Sequence, residues 1–152
     1  MEFESMRDIL NFALSKEHAS EQFYLNLADQ MKDAVTQAVF RNIAKQERKH
    51  AEELELEFIK HGYTLSSVSG KDSDYQWQEQ LELDEQAKNM NYSDALTVAI
   101  QKERAAFQLY TQLVGMTNNI KFRDILLQLA EEEMRHVIQF EHEYDAVLHH
   151  KE

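Results

Sequence analysis

Apolar residues recur every three or four positions along four stretches of the chain, the period of a helix that buries one face. The first stripe runs Met6, Ile9, Ala13, Glu17, Ser20, Tyr24, Leu27, Met31, and the second Phe40, Ile43, Glu47, His50, Leu54, Phe58. The third runs Leu96, Ala99, Glu103, Ala106, Tyr110, Leu113, and the fourth Phe122, Leu126, Leu129, Glu133, His136, Phe140, Tyr144. None of these segments has the two-residue period of a strand. The pattern predicts four helices, each with a single core face, forming hairpins over about 5–61 and 93–149. Asp33 is the expected cap of the second helix, Ser93 of the third and Asn118 or Asn119 of the fourth, while Gly62 suits the end of the second.

Sliding the chain against itself by 86 positions aligns the two hairpins without a gap. Lys16 then meets Lys102, Glu17 meets Glu103, Tyr24 meets Tyr110, Glu47 meets Glu133 and His50 meets His136. Between the halves lies a connector, about 62–92, whose stretch Tyr75–Lys88 has the Trp77, Leu81 and Leu83 content of a short amphipathic helix. It is far longer than a turn between neighbouring helices requires, so it predicts a long crossover between the second and third helices. The same length would let two chains exchange hairpins in a dimer.

Composition narrows the picture. With 152 residues, no proline and three glycines, the chain has little material for the turns of a sandwich or barrel, and its length suits a single all-α domain spanning 1–152. The absence of cysteine excludes disulfides, thiolate metal sites and a thiol nucleophile, so any metal must be held by oxygen and imidazole. A net charge of −12 sets the surface against nucleic acid and anionic lipid, and neither is expected as a partner. No run approaches the roughly 20 apolar residues of a membrane span. Residues 1–11 carry Glu2, Glu4 and Asp8 and do not read as a signal peptide, which makes a cytoplasmic location the expectation.

The chemistry sits inside the stripes, which are interrupted at one level by Glu17, Glu47, His50, Glu103, Glu133 and His136. Four buried carboxylates cost more than the roughly 5–15 kcal/mol net stability of a domain unless a cation compensates them. No lysine or arginine stands at the matching stripe positions, so two divalent metal ions are the economical compensation. Each of Glu17 and Glu103 precedes its partner glutamate by 30 residues, about 15 up to a turn and 15 back, which returns both carboxylates to one height. The spacing of three in Glu47/His50 and Glu133/His136 puts both side chains on one face, so the glutamate can bridge two metals while the histidine caps one. Four glutamates and two histidines are the set used by di-iron and di-manganese carboxylate bundles. One Glu-x-x-His pair in so acidic a chain would be weak evidence. Two at the repeat offset are not.

In these segments, ALSKEHASEQFY, KQERKH, AIQKERAAFQLY and EEEMRH, the sequence resembles the ferritin-like superfamily, and within it the di-iron domain of rubrerythrin-type proteins. The resemblance implies a ferritin-like four-helix bundle with Glu17, Glu47, His50, Glu103, Glu133 and His136 as iron ligands. It departs from the family pattern twice. Rubrerythrins proper carry a cysteine-ligated rubredoxin-like domain, and they carry an extra glutamate one turn from the third-helix ligand, where this chain has Ile100 and Ala106.

Three functions follow as alternatives: a di-iron oxidoreductase of peroxidase or ferroxidase type, an iron-binding protein for sequestration or delivery, and a structural bundle without catalytic metal. The first expects two iron ions, H2O2 or O2 as oxidant, an external electron-donor protein and a homo-oligomer, a dimer being favoured. Manganese or zinc would suit the same ligands. Tyr24 and Tyr110, seven residues after a ligand glutamate, either reach back to orient a site carboxylate or sit in the core bonded elsewhere. His18 points about 100° from Glu17 and reads as a surface residue.

Overall fold

The computed structural model describes residues 6–62 and 90–150. The expected helix at Tyr75–Lys88 and the crossover that would contain it lie outside the described residues. Four helices are present: α1, Met6–Gln30; α2, Ala34–Lys60; α3, Tyr92–Gly115; and α4, Ile120–His150. Among the described residues there is no strand, so the chain is all-α and fits the four-helix, ferritin-like class. It divides into two compact units, one containing α1 and α2 and the other α3 and α4. Among the described residues no helix is long and apolar enough to cross a membrane.

In the first unit Asp33 has extended backbone and its side chain accepts from the Thr36 N–H at 2.8 Å, capping α2 as expected. The Gln37 side chain donates to the Met31 carbonyl at 2.9 Å and ties the turn to the helix that follows it. At the far end Gly62 has φ +79°, the left-handed conformation in which a glycine ends a helix without a steric penalty. Its N–H donates to the Ile59 carbonyl at 2.9 Å.

The stripe on α2 is buried residue for residue, from Phe40 to Phe58. On α1 the single-face expectation is corrected. Ile9, Leu10, Asn11, Phe12, Ala13 and Leu14 are buried in succession, because five of these six are apolar and a helix that is apolar all round is covered all round. Each large side chain shut away from water, such as Phe23 or Phe40, stabilises the fold by about 1.5–3 kcal/mol.

The second unit corrects a cap. Asn91, not Ser93, begins α3: its side chain accepts from the Asp94 N–H at 2.8 Å, and the Ser93 hydroxyl donates to that same oxygen at 3.0 Å. Asparagine offers a cap carbonyl at least as good as serine's, and starting there lengthens the helix. At the start of α4, Asn119 is the one of the two expected asparagines whose side chain accepts from the Lys121 and Phe122 N–H groups, at 3.0 and 3.3 Å. Leu96, Tyr110, Leu113, Leu126 and Phe140 form the inner face of this unit, while Tyr144 at the end of the fourth stripe is half-buried.

Candidate metal centre

Each hairpin places one glutamate on its first helix opposite a Glu-x-x-His pair on its second. In the first unit Glu17, Glu47 and His50 are buried, at 1%, 1% and 5% exposure, and each offers a ligand atom within 4.8 Å of the others'. The His50 Nδ1 lies 3.6 Å from Glu17 Oε2. In the second unit Glu103, Glu133 and His136 repeat the arrangement, again with ligand atoms within 4.8 Å of one another and with His136 Nδ1 3.5 Å from Glu103 Oε1. The helix period explains why: position three along α2 or α4 brings carboxylate and imidazole to one face, and the antiparallel partner brings its glutamate to the same level.

Carboxylates packed this closely cannot all be ionised without help. Burial raises the pKa of Glu103. Hydrogen bonds with Glu133 and His136, and then the positive charges of His136 and Lys102, outweigh burial and lower it from 4.5 to about 2. The Glu133 side chain thus helps to hold Glu103 ionised despite its burial.

Lys102 is itself a finding. It and its repeat counterpart Lys16 are both buried, at 8% exposure, next in sequence to Glu103 and Glu17. No lysine stands on the stripes themselves, but these two beside them are buried as well. The reason is that a lysine beside a stripe can lay its methylene stem along apolar surface and bring its ammonium close. The alignment of Lys16 with Lys102 in the repeat was the available signal. Because Glu103 is lowered, its ionised form stabilises the fold above its unfolded value, and that contribution is lost as pH falls from about 4.5 to about 2. Lys102→Met removes one of the charges responsible, so the metal-free variant should begin to unfold at higher pH than the parent in an acid titration followed by circular dichroism.

Tyr24 and Tyr110 are wholly buried. The Tyr24 ring stacks on Phe40 with centroids 6.3 Å apart and meets Phe23 edge-on at 5.1 Å. His18 is half-exposed, as expected of a surface residue, and its Nε2 lies 3.2 Å from Glu55 Oε1. The repeat puts Arg104 and Glu141 at the equivalent positions, and they form a 2.8 Å ion pair. Both pairs clamp the outer side of a hairpin, each with a contribution of about 0–1 kcal/mol at such exposure. Among the described residues His18, His61, His142 and His149 join neither triad.

The donor set suits a metal. Carboxylate oxygen with imidazole nitrogen, buried and free of thiolate, is the chemistry that holds iron, manganese or zinc. The protein-family model described as Rubrerythrin matches residues 8–144, a span that contains both triads. A comparison with curated proteins found no match.

Proposed function

Because this chain belongs to the rubrerythrin family, we propose that Glu17, Glu47, His50, Glu103, Glu133 and His136 together hold a pair of iron ions and that the protein reduces peroxide or dioxygen with them. The observation that carries this reading is the duplication: the same buried Glu, Glu and His donors recur in both hairpins at equivalent positions. One triad alone is a common polar cluster. Bound Fe2+ would supply the electrons, two of which with two protons convert one H2O2 to two waters.

The chain's own residues do the rest. The carboxylates offset the cationic charge and favour the oxidised metal. Burial at 0–5% exposure keeps bulk water from the site. Loading would release protons, since a metal displaces them from its ligands. Tyr24 and Tyr110, both buried, would orient a site carboxylate through their phenols. With no cysteine in these 152 residues, electrons for a second turnover come from an external donor protein. A cytoplasmic location belongs to the same proposal.

A second reading, iron sequestration or delivery, is favoured by one feature. The positions one turn either side of Glu103 are Ile100 and Ala106, so that side of the site offers no further carboxylate. Anaerobic loading with Fe2+, followed by separate pulses of H2O2 and O2 watched by absorbance and metal analysis, tests both. A fast peroxide reaction that repeats after re-reduction is expected for the enzyme. A single oxidation with the iron retained and no repeat would replace that reading with sequestration.

A further inference from the structure

Laying the first hairpin over the second leaves a hydroxyl unmatched beside the metal ligands. Lys16 and Glu17 meet Lys102 and Glu103, but Ser20 meets Ala106. Ser20 and Ala106 are equally buried, at 5% exposure, so the two units hold a hydroxyl and a methyl group in equivalent places. A hydroxyl is costly in such a place unless something hydrogen-bonds to it, and alanine is also the better helix former. No hydrogen bond joins the Ser20 side chain to another described residue. The hydroxyl is therefore kept at a cost that nothing in the described hairpin offsets.

Its position says what would offset it. At about 100° per residue, Ser20 projects about 40° from Lys16 and about 60° from Glu17, between the two. Residues three and four apart on a helix are neighbours, and helical side chains lean toward the N-terminus, so the hydroxyl leans over the turn that carries Lys16 and Glu17. Lys16, at 8% exposure, brings to that same turn an ammonium with three N–H donors. A hydroxyl and an ammonium rooted together beside a metal ligand suit one kind of guest, a small anion that accepts hydrogen bonds.

We propose that Lys16 and Ser20 form a small-anion subsite at the first triad, which the second triad lacks because Ala106 stands where the hydroxyl would be. The proposal rests on the metal-centre reading, because the empty site repels anions through Glu17 and Glu47. With both histidines neutral, four buried carboxylates balance two divalent ions, so the buried Lys16 and Lys102 leave the loaded centre with surplus positive charge. That charge favours an anion at either triad, and the Ser20 O–H decides between them by donating to it at the first. The two triads are thus unequal, and an anionic oxidant or inhibitor is received on the α1 side.

Azide, a small anion that absorbs light when it binds ferric iron, is the probe. The full chain is loaded with Fe2+, oxidised, desalted and titrated with sodium azide, and its iron is counted by elemental analysis. Ser20→Ala copies the residue of the second hairpin, so it should keep the parent's iron content and melting temperature. It should bind azide at least about tenfold more weakly, the loss of one hydrogen bond to a charged group. The infrared antisymmetric stretch of bound azide should shift in the same variant, a signature of a donor on the anion that a purely structural role of Ser20 would not produce. Lys16→Met, which keeps the stem without the charge, should also weaken azide by at least about tenfold. Azide held equally tightly by the parent and by either variant would overturn the subsite alone. A parent chain that takes up no iron would overturn the metal-centre reading and this inference with it.

Discussion

Glu47→Ala with Glu133→Ala should empty the metal centre while leaving the helices in place. Each triad would keep one glutamate and one histidine, too few donors for an ion that needs four or more. The parent chain is expected to carry about two metal ions after reconstitution and desalting, and the double variant fewer than about one, with affinity lower by at least about 100-fold. Elemental analysis measures the number, and circular dichroism confirms that helix content is unchanged. The metal-free variant has lost two of the buried carboxylates whose repulsion the parent must tolerate, so its fold is not the weak point. Full occupancy in this variant would remove Glu47 and Glu133 from the site, and with them the di-metal proposal.

Metal should also raise the melting temperature, and it should do so less as pH falls. Loading a site at about 100 times its Kd contributes about 2.7 kcal/mol. For a chain of this length that is a rise of roughly 5–10 °C. The sign of the pH effect follows from the ligands themselves, because the carboxylates must be ionised and the two histidines neutral to bind. Binding expels protons, so acid competes with metal, and the rise should be large at pH 7, smaller at pH 5 and abolished by chelator. Thermal melts under argon with and without Fe2+ measure it. A bundle whose buried polar residues merely satisfied one another would melt identically with and without metal at pH 7, and that outcome would leave only the structural reading.

The fold and the candidate ligands were legible in the sequence because both depend on local period. Glu47 and His50 share a face of α2 by their spacing alone, and the buried run from Phe40 to Phe58 follows the stripe without exception. The 86-residue repeat carried the rest, since a second Glu-x-x-His at the equivalent height is improbable by chance. The start of α3 was less legible. Asn91 and Ser93 are both good caps two residues apart, and the choice depends on where the chain can adopt extended backbone, which Asn91 does at ψ 175°.

From the sequence by itself came the helical period, the four stripes, the repeat, and the six acidic and imidazole donors interrupting the stripes at one level. All of these are properties of residues three or four apart, or of one hairpin laid over another. Only the tertiary structure decided which long side chains turn inward and which charges meet across a hairpin. Lys16 and Lys102 lie off the stripes, yet both are buried, and Lys102 helps hold Glu103 ionised. Glu55 finds His18, and Glu141 finds Arg104, across 37 residues of chain. The reason is the reach of the side chains. A lysine, arginine or glutamate spans several ångströms beyond its Cβ, so helix period fixes where it is rooted, and the packed neighbours fix where its charge comes to rest.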